Sequence, residues 1–383
     1  MEKQLSVAVF GCGRMGDTII REIEVMPEVK RIVGYDVSEG QLIETQKKHP
    51  QMEITTDLDK VLNDPDIKLV YIATSNTHHA PLAIRAMRAG KAVMTEKPSG
   101  INPEQIEELI QVQKETGAFL QVGLECRYSK AYSETKKIIE SGEIGRLTNV
   151  HFTYSMPPYP ESKEEKDGKK IGNWRIKKET GGSMYFEKLC HYIDLVRWWN
   201  EGSRVDRFVV TSAENVIPYF EIEDNVHISY HFDNGCTSQL FFTMTNAPGY
   251  NNDLLGKDDL FDQDKQGHKL NYIITGTEGA IEIDIFHRQI RVYHHPGKPG
   301  QVGESIVRTI DWEKKDLKPG EYEQGKSEHV YFHNTWGQNQ DIVHRVLEGR
   351  EPSITIEDAQ ESMRLCLEFT KAAAESKWQV IER

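Results

Sequence analysis

Residues 5–27 read LSVAVFGCGRMGDTIIREIEVMP. Val7, Val9 and Phe10 make a short apolar run of strand length, and Ile19, Ile20 and Ile23 recur at helical spacing. Between them Gly11, Gly13 and Gly16 spell G-x-G-x-x-G, with a strand before and a helix after. Glycines so placed permit a tight turn, close approach of the backbone to a pyrophosphate, and close helix–strand packing. The helix N-terminus offers unpaired N–H groups and a positive dipole end to phosphates. An ordinary tight turn is the plainer alternative, but strand, helix and a distal acid agree on a dinucleotide held by Gly11, Cys12, Gly13, Arg14, Met15 and Gly16. That acid is Asp36, which ends RIVGYD twenty residues after Gly16. A carboxylate there accepts hydrogen bonds from both ribose hydroxyls of NAD and repels a 2′-phosphate, so NAD is expected over NADP.

The alternation continues. LVYIAT (69–74) precedes a helix from about His79 to Ala89, and AVMTEK (92–97) precedes a helix opened by the Asn102 cap and Pro103. FLQVG (119–123) closes the series. Strands apolar throughout, alternating with helices, predict an α/β, doubly wound parallel sheet covered on both faces. Ligands of such sheets bind beyond the carboxyl ends of the strands. That rule selects the loops Thr74-Ser75-Asn76 and Thr95-Glu96-Lys97-Pro98, and the chain from Gly123 onward. Lys97 reads equally as a solvated turn lysine or as a functional one, fixed by Pro98 at the ligand edge.

The chain has 383 residues, 38% hydrophobic and 28% charged, a size that favours two domains. A net charge of −13 argues against general nucleic-acid binding, which needs a basic surface. No run approaches the ~18 apolar residues of a membrane span. The opening MEKQLSVAVFG enters a strand directly, so no secretory leader is expected. Five scattered cysteines without a C-x-x-C pair fit a reducing, cytoplasmic setting. His78-His79 and His294-His295 have no accompanying carboxylate cluster, and adjacent strand histidines face opposite ways, so no metal is expected.

In the middle of the chain, GGSMYFEKLCHYID (181–194) reads as a helix on which steps of four and three stack Glu187, His191 and Asp194 on one face. A buried ion pair would explain that polar stripe without function. With VAVFGCGRMG, ATSNTHH and TEKPSG in the same order, however, the stretch resembles the glucose–fructose oxidoreductase/inositol dehydrogenase (Gfo/Idh/MocA) family over most of the chain. The resemblance implies a Rossmann domain, set here at 1–124, and a substrate-binding and oligomerisation α+β domain, 125–383, on an open, mostly antiparallel sheet. It implies that Lys97, Glu187 and His191 lie beside the nicotinamide, and that Asn76, Glu96, Trp174 and Arg175 lie near the cofactor. Thr74, Ser75 and His79 of ATSNTHH join that cofactor set. Two departures stand out: the acid is more often Asp than Glu, and three glycines are more usual than Gly181-Gly182-Ser183.

Further on, residues 156–172 read as an exposed loop or flap. NVHISYHF turns at Asp233-Asn234-Gly235 into CTSQLFFTMT, the signature of a hairpin. VDRFVVTSAEN, LNYIITGT, AIEIDIF and QIRVYHH read as further strands. Asn246 to His268 is too polar for core, and reads as a lid, a subunit contact or a solvated insertion. The C-terminal TWGQNQDIVHRVLEGR and IEDAQESMRLCLEFTKAAAES have helical spacing.

The chemistry these residues permit is oxidation of a secondary hydroxyl. His191 takes the proton near neutral pH, Glu187 orients its ring or binds a neighbouring hydroxyl, and Lys97 stabilises the developing alkoxide. Asp194 reads as structural, capping or pairing with Arg197. Arg127 and Tyr128, with Lys97, Glu187 and His191, are the candidates to bind a polyhydroxylated small molecule: a sugar, glycoside or cyclitol. Two other classes stay open. One is an NAD-retaining glycoside hydrolase needing a further base from Tyr185, Glu125 or Tyr128. The other is a non-catalytic NAD- or sugar-sensing protein. A homo-oligomer, dimer or tetramer, through the C-terminal sheet is expected.

Overall fold

The computed structural model describes residues 4–164, 170–245, 268–285, 289–295, 308–311 and 333–375. The chain forms two compact units, Met1–Ser129 with Lys314–Arg364, and Lys130–Glu313 with Leu365–Arg383. A single boundary at 124/125 carries no such return: residues 333–364 count with the first unit.

In the first unit, β1 (Leu5–Phe10), β2 (Val29–Tyr35), β3 (Glu53–Thr55), β4 (Ile67–Ile72), β5 (Ala92–Glu96) and β6 (Leu120–Gly123) form one parallel sheet. Its order, β3-β2-β1-β4-β5-β6, reverses direction between β1 and β4, next to the glycine turn. The strands are buried because helices cover both faces. Ala8, Phe10, Val70 and Val93 pack on one side, and Val7, Val9, Leu69 and Met94 on the other. Helix Pro103–Thr116 starts where expected, with the Asn102 side chain accepting from Gln105 N at 2.9 Å. Strand β3 and helix Leu58–Leu62 are too short to show a period in the sequence. Helix Thr335–Glu348 lies in this unit, with Ile342 and Val343 in the same core as Val9, Ile19 and Ile20.

The second unit holds a sheet of β7 (Leu147–Ser155), β10 (Val205–Thr211), β11 (Asn225–Phe232), β12 (Thr237–Thr243), β13 (Lys269–Gly276), β14 (Gly279–Asp284), β15 (Gln289–His294) and β16 (Arg308–Asp311). Its order is β10-β11-β12-β7-β13-β14-β15-β16, antiparallel except where β12 runs parallel to β7. Strict alternation turns Phe152, Tyr154, Tyr230, Phe242 and Tyr272 inward. Phe152 stacks on Tyr192 of the central helix at 4.8 Å between centroids. The expected hairpin is present, with His231 opposite Thr237 and Gly235 at φ +87°. Within 156–172, expected as loop, β8 (Ser162–Glu164) and β9 (Lys170–Gly172) pair as a small antiparallel ribbon. Of the polar stretch Asn246 to His268, residues 246–267 lie outside the described residues. Among the described residues, no helix is long and apolar enough to cross a membrane.

The central stretch departs from a regular helix. A four-residue helix ends at Gly181, Gly182 turns the chain at φ +83°, Tyr185–Leu189 is a π-helical turn, and an α-helix then runs Cys190–Trp199. The α-helical step of three still aligns His191 with Asp194. The π turn closes on i→i+5 rather than i→i+4 bonds, so the stretch is not one regular α-helix.

Candidate active site

Two groups of residues form, one in each unit. In the first, Gly11 and Gly16 can be nothing larger. Gly11 sits at φ +86° with an added Cβ 2.7 Å from Ala73 O, and a Cβ on Gly16 would lie 1.9 Å from Gly11 O. A Cβ on Gly13 would meet nothing within 4 Å, so the turn is tight inside and open at its middle glycine. Asp36 is held at this turn. Its Oδ2 accepts from Cys12 N and its Oδ1 from Ser38 N, both at 2.9 Å. Burial, then Asp36 and Asp17, push the Cys12 thiol up to about 12, so Cys12 packs as a neutral side chain. Arg14 and Met15 open the helix Arg14–Ile23.

The loops after β4 and β5 are tied together by His79. Its Nε2 lies 3.0 Å from Thr74 O and its Nδ1 2.8 Å from Pro98 O. Only an imidazolium satisfies two carbonyls, yet complete burial lowers the pKa of this ring more than those oxygens raise it. We take the ring as neutral, because fully desolvating a cation costs more than one weakened contact. Ser75 Oγ lies 2.9 Å from His78 Nδ1, and Asn76 is buried in the same turn. Glu96 ends β5, and burial followed by the charge of Glu125 pushes it up to about 8 against the opposing pull of Lys97. Lys97 is half-buried beside it.

Arg127 and Tyr128 bond to the returning segment of the chain. Arg127 Nη1 donates to Asp358 Oδ2 at 2.5 Å, while Tyr128 Oη donates to Asp341 Oδ2 at 2.8 Å and bonds Ser353. These bonds fasten the turn after β6 to the returning C-terminal segment of the same unit.

In the second unit, Glu187 is buried against Arg175, whose Nε and Nη2 both reach Glu187 Oε1. Tyr159 completes the set: its ring lies 4.2 Å below the Arg175 guanidinium and its hydroxyl is 3.4 Å from Glu187 Oε1. The charge of Glu187 and the Tyr159 phenol keep Arg175 protonated despite burial. Tyr159 had no motif to announce it. Trp174, next to Arg175, is 38% exposed. His191 is 3% exposed on the α-helical part, one residue after Cys190, whose thiol donates to Phe186 O at 3.1 Å. Tyr185 is buried, and burial with Glu223 drives its phenol further from ionisation.

A glycine turn at the strand-order reversal, with the Asp36 carboxylate held beside it and an E-K-P loop after β5, is the pattern of a dinucleotide-binding domain. Family models agree: residues 5–124 match "Oxidoreductase family, NAD-binding Rossmann fold", and residues 132–282 match "GFO/IDH/MocA C-terminal domain". The chain belongs to the Gfo/Idh/MocA oxidoreductase family, and its first domain is an NAD-binding Rossmann domain. It is 27% identical over 253 residues to the uncharacterized oxidoreductase YrbE of Bacillus subtilis, covering 65% of this chain and 70% of that protein. It is 29% identical over 198 residues to inositol 2-dehydrogenase of Salmonella typhimurium, covering 51% of this chain and only 54% of that enzyme. A levoglucosan dehydrogenase solved with NADH and levoglucosan shares the fold, with a TM-score of 0.75, 22% identity, and coverage of 97% and 98% of the two chains.

Proposed function

We propose that this protein is an NAD-dependent dehydrogenase that oxidises a secondary hydroxyl of a sugar, glycoside or cyclitol. The observation that carries the reading is Asp36, fixed by two backbone N–H groups at a turn too tight for a Cβ on Gly11 or Gly16, within a family of oxidoreductases that includes an inositol 2-dehydrogenase. Gly11–Gly16 would hold the pyrophosphate and Asp36 the adenine-side ribose, excluding a 2′-phosphate by charge. NAD, when bound, supplies the hydride acceptor. His191 takes the hydroxyl proton, and Lys97 donates to the same oxygen and stabilises its developing negative charge. Glu187 acts through Arg175, which it anchors, rather than as a second base.

The elimination-based hydrolase reading needs another base. Burial moves the phenols of Tyr185 and Tyr128 away from that role, and Glu125 is engaged with His333 at 2.6 Å. Self-association would use the outward face of the second sheet, where Val209 and Ile273 are exposed.

The test is a panel of inositols, hexoses and glucosides with NAD or NADP, read as absorbance of the reduced nicotinamide. Lys97→Ala and His191→Ala should each lose at least about a hundredfold in turnover while binding NAD as the parent does. Near-parental turnover in both variants, a strong preference for NADP, or aglycone release without net NADH would each overturn the reading.

A further inference from the structure

Glu125 and Cys126 lie in the turn Glu125–Tyr128 that follows β6, and His333 immediately precedes the Asn334 cap of helix Thr335–Glu348. All three belong to the first unit, with His333 more than two hundred positions along the chain from the other two. His333 Nδ1 is 2.6 Å from Glu125 Oε1 and 3.4 Å from Cys126 Sγ, and one donor atom from each residue lies within 4.8 Å of the others. Glu125 and Cys126 are 6% and 1% exposed.

Carboxylate, imidazole and thiol together suggest either a nucleophilic triad or a metal site, and the geometry separates them. In a triad, the thiol and the acid bond opposite nitrogens of the ring, so that one nitrogen accepts while the other donates. Here both contacts fall on Nδ1. That convergence of sulfur, nitrogen and oxygen on one point is what a metal ion demands. With Zn–S of about 2.3 Å and Zn–N of about 2.05 Å at a tetrahedral angle, two ligand atoms sit about 3.6 Å apart. The observed sulfur–nitrogen distance of 3.4 Å is close to that. Glu125, now hydrogen-bonded to the ring, has to swing back by about 0.7 Å to take its place.

The ligand set selects the metal: calcium and magnesium prefer oxygen ligands alone, whereas a mixed set with a thiolate suits zinc. We propose that Glu125, Cys126 and His333 form a site for one zinc-class divalent cation, with a fourth position left for water or a ligand oxygen. This departs from the absence of metal expected from the sequence, which rested on the paired histidines.

The experiment uses the full chain, stripped with a chelator, dialysed and titrated with zinc chloride by calorimetry, with cobalt(II) as the spectroscopic probe. The expected result is one equivalent per chain and a thiolate-to-cobalt charge-transfer band in the near ultraviolet. Cys126→Ser abolishes the band, and it and His333→Ala each weaken zinc binding at least tenfold. His231→Ala, at an exposed pair with Asp206 in the other unit, changes neither. Circular dichroism and NAD binding of each variant verify its fold. No stoichiometric uptake by the parent protein, or uptake with no thiolate band, overturns the proposal. So does binding that the Cys126 and His333 variants leave unchanged. Because metal uptake is read without NAD or substrate, the outcome is independent of the dehydrogenase reading.

Discussion

Glu187 is only 2% exposed, and a carboxylate so placed needs a cation whose geometry satisfies it. Arg175 supplies this, and Tyr159 lies against the guanidinium face. Removing the arginine leaves an uncompensated buried charge. Arg175→Ala should destabilise the second unit by about 3 kcal/mol, at the low end for a broken buried pair because Arg175 is partly exposed. Urea unfolding without NAD measures this, and the double variant Arg175→Ala/Glu187→Gln should recover most of the loss. An unchanged midpoint for Arg175→Ala would show the pair to be incidental. At this scale the spacing picked out Glu187 as a residue of interest, but not that it turns to a residue twelve positions upstream. Side-chain partners outside one helical turn are chosen by packing, and spacing does not encode them.

Among the elements, helices Arg14–Ile23 and Thr335–Glu348 are clamped by Glu22, whose Oε1 accepts from Thr335 Oγ1 at 2.6 Å and Oε2 from Asn339 Nδ2 at 2.8 Å. Glu22 is fully buried, and burial pushes its pKa up to about 8, beyond what those two bonds can offset. Its folded pKa thus lies above its ordinary value of 4.5. The stabilisation from the neutral acid is complete below about pH 4.5 and is lost as pH rises through about 8, by at most about 1.4 kcal/mol per pH unit. Glu22→Gln, which mimics the neutral acid, should match the parent in thermal stability at pH 5 and exceed it at pH 9. A constant difference across that range would refute the assignment. The helices themselves were legible from their periodicity and from the Asn102 cap. The π turn was not, because the same apolar residues, buried in the structure, also fit an α-helix.

For the whole molecule, the decisive feature is the return of residues 333–364 to the first unit. Tyr128, Arg127 and Glu22 all bond to that segment, and Ile342, Val343, Ile354 and Ile356 fill its core. A fragment ending at Ser129 would expose those apolar contacts. It should aggregate or unfold without cooperativity, whereas the full chain unfolds cooperatively, as calorimetry of the two would show. A soluble, cooperative fragment that binds NAD would contradict this. The amino-acid sequence by itself determined the parallel sheet, the glycine turn with Asp36 beside it, the hairpin of the second sheet and the family. Each of these is written in patterns a few residues long, where backbone sterics, glycine freedom and hydrophobic period act directly. Only the tertiary structure decided that helix Thr335–Glu348 completes the first unit, that Glu187 pairs with Arg175, and that Glu125 and Cys126 meet His333. Those pairings join residues remote in the chain, and what brings them together is the burial of apolar faces that carry no label for their partner.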